Sequence, residues 1–137
     1  MNEGWNGDEY LVLLSDAERI AAMGKYQFDK YLPGYSLVGL RGWDDLIVMD
    51  SNGTVLSLPT VPLVISNAQP FSIPQPATLQ PDPRFTGKIK WYVTPLVFGG
   101  SAQDKANLAW VSHDQHAELV AWWNAKYREL RAQAADA

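Results

Sequence analysis

Residues 31–53 read YLPGYSLVGLRGWDDLIVMDSNG, and this stretch decides the fold. Pro33 restricts Leu32 to an extended conformation, so a helix that precedes it must end near this position. The residues that follow are mostly apolar, as in a strand buried on both faces, and Asn52-Gly53 between two apolar runs is a strong signal for a two-residue hairpin. The pattern predicts strands at 35–40, 45–50 and 54–58.

Upstream of this stretch, the sequence predicts one strand and one short helix. Residues 9–14 read EYLVLL, an apolar run with aromatic and branched side chains that is typical of a strand. Ser15 and Glu18 then have the spacing of a capping box, in which both side chains satisfy the first free amides of a helix. We expect a short helix over about 16–24 with a ragged end, although Gly24 weakens the middle of the helical pattern.

These motifs occur in an order that is similar to a known family. A Tyr-Leu-Pro-Gly turn leads into a strand, a glycine-rich corner and an acidic residue that opens the next strand. Residues 6–63 thereby resemble the centre of the SUKH superfamily, whose bacterial members are largely immunity proteins that bind and silence toxins. Residues 98–124 are similar to the ends of some of these proteins. The motifs that carry the resemblance are Asn6-Gly7, Tyr10-Leu11-Val12-Leu13, Ser15 to Glu18, Tyr31-Leu32-Pro33-Gly34, Gly39, Gly42 and Leu58 to Leu63.

The family pattern usually begins with a helix and a Leu-Pro-x-x-Tyr motif ahead of the Asn-Gly pair, and this chain has neither before Asn6-Gly7. Apolar sheet left in water is costly, so another element is expected to cover that face. We favour the C-terminal helix of the same chain. The alternative is a second copy across a two-fold axis, which makes a homodimer one of the expected states.

The last quarter of the chain predicts a long helix over 113–131. Ser112 and Gln115 fit a capping box, and one apolar stripe recurs at steps of three and four residues. Trp122 lies beside that stripe, so it is either packed under a neighbouring loop or presented to a partner. The residues of the predicted stripe are His116, Leu119, Val120, Trp123, Tyr127 and Leu130.

Between the two helical regions, residues 59–83 carry seven of the nine prolines and few charges. Proline at this density removes donors and excludes helix, so we expect an ordered loop or edge strands that wrap over the sheet. Strands are predicted at 88–94 and 96–98, and Gly99-Gly100 is expected to form a turn. The chain as a whole predicts a single α+β domain over 1–137, with a curved antiparallel sheet, a short early helix and a long C-terminal helix.

Composition limits the functional classes. The chain of 137 residues has no Cys, and no window approaches the ~18 consecutive apolar residues that cross a bilayer. We therefore expect a soluble cytoplasmic protein without membrane contact. Residues 1–50 hold nine Asp or Glu against four Lys or Arg within a net charge of −4. This balance disfavours nucleic acid and favours a basic protein partner.

Catalytic patterns are few, and we expect no enzyme activity and no cofactor. His113 and His116 supply two ligands for zinc, which needs three or four, so a capping or core role for both is favoured over a metal site. Asp44 and Asp45 are adjacent in a predicted strand and would point to opposite faces, unlike a pair of carboxylates that share one substrate. The Gly-x-Ser-x-Gly elbow of serine hydrolases does not occur.

The resemblance implies an immunity protein that neutralises a cognate protein toxin, such as a basic nuclease, by stoichiometric occlusion. The expected contact residues are acidic groups that steer the encounter and aromatic anchors. The alternative function is that of a self-associating structural or assembly protein of a phage or mobile element. The predicted partner-binding residues are Trp43, Asp44, Asp45, Asp50 and Trp122.

Overall fold

The computed structural model describes residues 1–42 and 44–136. Its main sheet has six strands, and each is antiparallel to the next. The strand predictions at 35–40, 45–50 and 54–58 are confirmed to within one residue at each end, whereas the first strand and the short sixth strand were not predicted individually. The strands are β1 Asn2–Asn6, β2 Glu9–Leu13, β3 Ser36–Arg41, β4 Asp45–Met49, β5 Val55–Pro59 and β6 Gln69–Pro70.

Helices and a second sheet complete the α+β architecture, whose predicted class is confirmed. A separate antiparallel pair is formed by β7 Lys88–Tyr92 and β8 Leu108–Ser112. The strand β8 was missed because its five residues, LAWVS, form a short pattern that runs directly into the last helix. The helices are α1 Asp16–Lys25, α2 Phe28–Tyr31 and α3 His113–Asp136.

The capping predictions for α1 and α3 are confirmed in atomic detail. At α1, the Glu18 amide donates to the Ser15 hydroxyl at 3.3 Å and the Ser15 amide donates to the Glu18 carboxylate at 2.8 Å. At α3, the Gln115 amide and the Ser112 hydroxyl lie 3.1 Å apart, and the Ser112 amide donates back to the Gln115 side chain. Each reciprocal pair satisfies two backbone donors that a helix start leaves free.

The two faces of the main sheet are covered by different segments of the chain. On one face, Tyr10, Leu40 and Leu46 belong to a core that also includes side chains of α2, β7 and α3. Of the α3 residues, Ala117 and Val120 belong to this core, and α3 packs against α1, β7 and β8. The predicted direct covering of the sheet by the C-terminal helix stays a prediction, since the helix reaches the shared core beside these elements.

The proline-rich segment covers the opposite face of the sheet. This confirms the prediction that the segment wraps over the sheet. Leu11, Val38 and Ile47 form a smaller core with Leu79, and Phe71 packs against it. The guanidinium of Arg41 lies 4.9 Å from the centre of the Phe71 ring, which adds a cation–π contact at the edge of this cover. Between 59 and 83, the segment forms short 3₁₀ turns and the edge strand β6 rather than a flexible linker.

Candidate functional site

The orientation of α3 decides which of its side chains reach the surface. Its most buried residues are His116, Ala117, Val120 and Asn124, with Asn124 fully inaccessible to solvent. The predicted stripe was therefore partly wrong: its later members lie at the margin of the core, and Leu130 is 41% exposed. The helix is turned toward Asn124 because this side chain has backbone partners that no apolar residue could satisfy.

The buried amide of Asn124 ties α3 to the loop that follows β5. Its Oδ1 accepts from the Leu63 amide at 2.7 Å, and its Nδ2 donates to the carbonyl oxygens of Thr60 at 2.7 Å and Val120 at 2.8 Å. Buried backbone groups of a loop need such partners, since water does not reach them. In the sequence, the signal for this role was one polar residue four positions after the buried Val120. The predicted stripe followed the apolar spacing and therefore did not include Asn124.

His116 occupies the other buried polar position of α3. Its Nδ1 lies 2.5 Å from the Tyr26 hydroxyl, and its ring packs edge-on against Trp91 with centroids 5.1 Å apart. Burial lowers the pKa of His116 to about 3 and raises the pKa of Tyr26 well above its usual range. This histidine is a neutral core residue, in agreement with the favoured prediction.

Beside α3, residues 93–101 form a tight loop in place of the predicted strand at 96–98. The prediction was wrong because Leu96–Phe98 is a 3₁₀ turn in which the Phe98 amide donates to the Pro95 carbonyl at 2.9 Å. Gly99 follows with φ 90°, which confirms the predicted glycine turn. Three apolar residues between a proline and two glycines are too few for a strand, and that spacing was the signal available in the sequence.

The buried side chain of Asn107 holds this loop in place. Its Oδ1 accepts from the Thr94 amide at 2.7 Å, and its Nδ2 donates to the carbonyl oxygens of Thr94 and Ser101 at 3.0 and 3.1 Å. Gly100 lies so close to these hydrogen bonds that a Cβ atom at this residue would lie 1.9 Å from the backbone oxygen of Thr94. The loop is therefore an ordered platform for the apolar residues that it presents.

The loop and the outer side of α3 together form an apolar surface. Phe98 lies 4.8 Å from Trp123, and Trp123 lies edge-on to Trp122 with ring centroids 4.9 Å apart. Trp122 is 57% exposed, Val97 50% and Leu96 44%. Of the two alternatives for Trp122, the structure supports exposure rather than packing under a loop. We call Leu96, Val97, Phe98, Trp122 and Trp123 the aromatic surface.

Of the other predicted contact residues, Asp45 and Asp50 have structural roles. Trp43 lies outside the described residues. Asp50 accepts from the backbone amides of Asn52 and Thr54, each at 2.9 Å, and so shapes the predicted hairpin. Asp45 accepts from the Ser57 hydroxyl at 3.0 Å and pairs with Arg41 at 3.6 Å, while Arg41 also pairs with Glu9. Whether Asp45 and Asp50 also contact a partner stays a prediction.

Asp44 corrects the expectation of an exposed acidic corner. Its side chain is only 7% exposed, it accepts a hydrogen bond from the Thr60 hydroxyl, and its backbone has φ 82°. Burial raises the pKa of Asp44 to about 7, with the charge of Asp45 adding to the shift. A carboxyl group that is buried and whose pKa is raised toward neutrality contributes little to an external field. Asp44 is therefore not part of the candidate surface. The expectation that Asp44 and Asp45 point to opposite faces of one strand does not apply either, because β4 begins at Asp45.

A second concave region lies between α1 and the start of α3. It is a cavity of about 400 Å³ with an apolar floor and charged groups at its mouth, including the ion pair of Lys25 with Asp114 at 2.5 Å. Nearby, His113 Nε2 lies 4.0 Å from Glu3 Oε2. Among the described residues, no group of three or more His, Cys, Asp or Glu side chains could hold a metal ion.

Trp122 and Trp123 are expected to differ in their contributions to stability. Trp123 is partly buried against Phe98 and the main core, so Trp123→Ala should lower the free energy of unfolding by about 2–3 kcal/mol. Trp122→Ala should cost less than about 1 kcal/mol, since most of its side chain already contacts water. Urea denaturation of both variants measures the difference, and equal losses would contradict the assigned orientation of α3.

In comparisons with known proteins, no family model, no curated protein and no solved structure matches the chain. The resemblance to the SUKH superfamily therefore stays a prediction from the motifs. In the part of the chain that the structure describes, no helix combines the length and the apolar character needed to span a membrane.

Proposed function

We propose that this protein is an immunity-type protein that binds a cognate protein toxin through the aromatic surface and blocks it by occlusion. The single observation that carries the proposal is the exposure of Trp122, Val97 and Leu96 on two elements that are joined by the contact of Phe98 with Trp123. Clustered exposed apolar groups with aromatic members mark interaction sites on soluble proteins. Tryptophan is also among the side chains that most often dominate the energy of protein interfaces.

The support beneath these residues adds to the argument. Phe98 and Trp123 contact each other below the exposed side chains, and the Asn107 and Asn124 hydrogen bonds fix the loop and the helix. An anchor that is already ordered loses little conformational entropy on binding, so more of the burial energy appears as affinity. The surface is therefore suited to a stable complex with one partner.

The nature of the partner comes from the SUKH-like motifs in residues 6–63. Members of that superfamily are largely toxin-binding immunity proteins, and the resemblance implies a toxin as the bound protein. On this proposal the complex forms in the cytoplasm of the cell that makes both proteins. The mechanism is stoichiometric binding, so the protein needs neither a cofactor nor a chemical step.

The test is co-expression of the protein with the toxic products encoded beside its gene. We expect one of them to stop killing when the wild-type protein is present. Trp122→Ser should restore killing, while Ile20→Ser should not, because Ile20 is 77% exposed on α1 and gives a matched loss of apolar surface elsewhere. Equal protection by Trp122→Ser and wild type would contradict the assignment of the surface, and killing in the presence of wild type for every product would contradict the function.

The affinity for the neutralised toxin is expected to fall at least tenfold in Trp122→Ala, equal to about 1.4 kcal/mol of binding energy. Calorimetric titration measures this change. The expected ratio for Ile20→Ala is close to one, and both variants should remain folded, with losses of stability below about 1 kcal/mol. A loss of similar size in both variants would argue against Trp122 as an anchor.

Self-association is the competing function, and the same exposed surface favours it. Two copies could cover one another through these residues, as in an isologous dimer. Light scattering after size exclusion at several concentrations separates the two functions. A dimer of the wild type that Trp122→Ser dissociates, without protection against any toxin, would favour an assembly protein.

A further inference from the structure

A groove with two arginines lies next to the aromatic surface. Its volume is about 440 Å³, and it runs between the loop after β5 and the later turns of α3. Tyr127 lines the groove, and its ring centre lies 6.4 Å from that of Phe98, so the groove continues the aromatic surface along the helix. The residues that line it are Pro62, Val64, Asn67, Tyr127, Arg128 and Arg131.

Aromatic rings and a carbonyl group hold the two guanidinium groups in place. Arg128 stacks over the Tyr31 ring at 4.5 Å and donates to the Leu63 carbonyl at 3.4 Å. Arg131 lies 5.9 Å from the centre of the Tyr127 ring. Such contacts orient the planar guanidinium and leave several N–H donors for another acceptor.

Arg128 and Arg131 differ from the other arginines in their ion pairs. Arg19, Arg41 and Arg84 each pair with a carboxylate of the chain. Within the set of side chains that the structure describes, Arg128 and Arg131 form no ion pair, although both line the same groove. Two oriented cations with free donors make a site that is complementary to a carboxylate.

We propose that this groove binds an Asp or Glu side chain of the partner protein whose apolar residues cover the aromatic surface. The inference deepens the proposed function and rests on it for the identity of the partner. The guanidinium fork matches a carboxylate in two parallel hydrogen bonds, which fixes the orientation as well as the position of the bound segment. On this proposal, the part of the partner that lies in the groove is acidic. This differs from the basic partner that the net charge of the chain predicted.

The groove can be tested without the partner by titrating the ¹⁵N-labelled protein with N-acetylphenylalanine, which carries a carboxylate, and with its neutral amide. We expect the carboxylate to bind roughly fivefold more tightly, with shifts at Val64, Asn67 and the Arg131 side chain. The preference should disappear in Arg131→Gln and remain in the control Lys88→Gln, an exposed cation on β7. Equal binding of both probes, or an unchanged preference in Arg131→Gln, would overturn the proposal.

A charge reversal tests the same contact in the complex with the neutralised toxin. Arg131→Glu should weaken binding at least tenfold, because it places a carboxylate against the acidic side chain of the partner. Unchanged or tighter binding in Arg131→Glu would overturn the inference. Its failure is distinct from failure of the proposed function, since the loss caused by Trp122→Ser would remain. If no toxin is neutralised, the probe titration alone decides whether the groove binds a carboxylate.

Discussion

Replacement of Asn124 by alanine is expected to lower the free energy of unfolding by about 3–5 kcal/mol. The substitution leaves the Leu63 amide and the Thr60 carbonyl without their side-chain partners in a region that solvent does not reach. Each unsatisfied buried group costs about 1–3 kcal/mol, and the side chain also leaves a small cavity. Guanidinium or urea denaturation gives the loss directly.

The control for this experiment is Gln133→Ala in the same helix. Gln133 carries the same amide group on an exposed position, where its Nε2 lies 3.4 Å from Glu129. We expect its effect to stay within about 0.5 kcal/mol, as is usual for exposed sites. If Asn124→Ala lowers the free energy of unfolding by less than about 1 kcal/mol, the hydrogen bonds of Asn124 between α3 and the loop contribute little to stability.

Replacement of Asp44 by asparagine is expected to stabilise the protein by up to about 4 kcal/mol at pH 8. The pKa of Asp44 rises from 3.8 to about 7 in the folded protein because the side chain is buried. Between these two values the folded state binds the proton more tightly than the unfolded state. The stability of the wild type therefore decreases as the pH rises from about 4 to about 7, and the full cost is present above pH 7.

Asparagine keeps the acceptor for the Thr60 hydroxyl and has no charge to desolvate, and it tolerates the left-handed backbone at this position. The difference in stability between Asp44→Asn and the wild type should grow across this pH range and then level off. His116 titrates in both proteins, so its contribution cancels in the difference. Asp29→Asn, at an exposed carboxylate of α2, is the matched control for the chemical change. A constant difference for Asp44→Asn would contradict the burial of the charged group.

These two residues belong to one connected set of contacts. The Thr60 hydroxyl donates to Asp44, the Thr60 amide donates to the Asp44 carbonyl at 2.9 Å, and the Thr60 carbonyl accepts from Asn124. The start of β4, the loop after β5 and the middle of α3 are thereby joined. Asp44 therefore supports the helix that carries Trp122, instead of forming part of the partner surface as the sequence suggested.

Local patterns in the sequence predicted much of the fold. The spacing of Ser15 with Glu18 and of Ser112 with Gln115 is sufficient to place two helix starts, because these side chains bond to amides of the adjacent turn. Asn52-Gly53 likewise placed a hairpin, since few dipeptides accept its backbone angles. These signals act over a few residues, so a single sequence contains them in full.

Features that depend on distant residues were missed. The burial of Asp44 follows from Thr60, sixteen positions away, and the role of Asn124 follows from a loop more than sixty positions away. The strand β8 pairs with β7 across the loop at 93–107, which no local pattern reveals. Of the candidate surface, only Trp122 was predicted as a contact residue, because Leu96 and Val97 were assigned to a strand.

The most direct test of the account is a photo-crosslink between the aromatic surface and the neutralised toxin. The crosslinking residue p-benzoylphenylalanine would replace Val97, which is 50% exposed and precedes Phe98 in the loop of the aromatic surface, or Ile20, which is 77% exposed on α1. The account predicts a covalent complex with the toxin from position 97 and none from position 20. A crosslink from position 20 alone would place the toxin on another face and contradict the account.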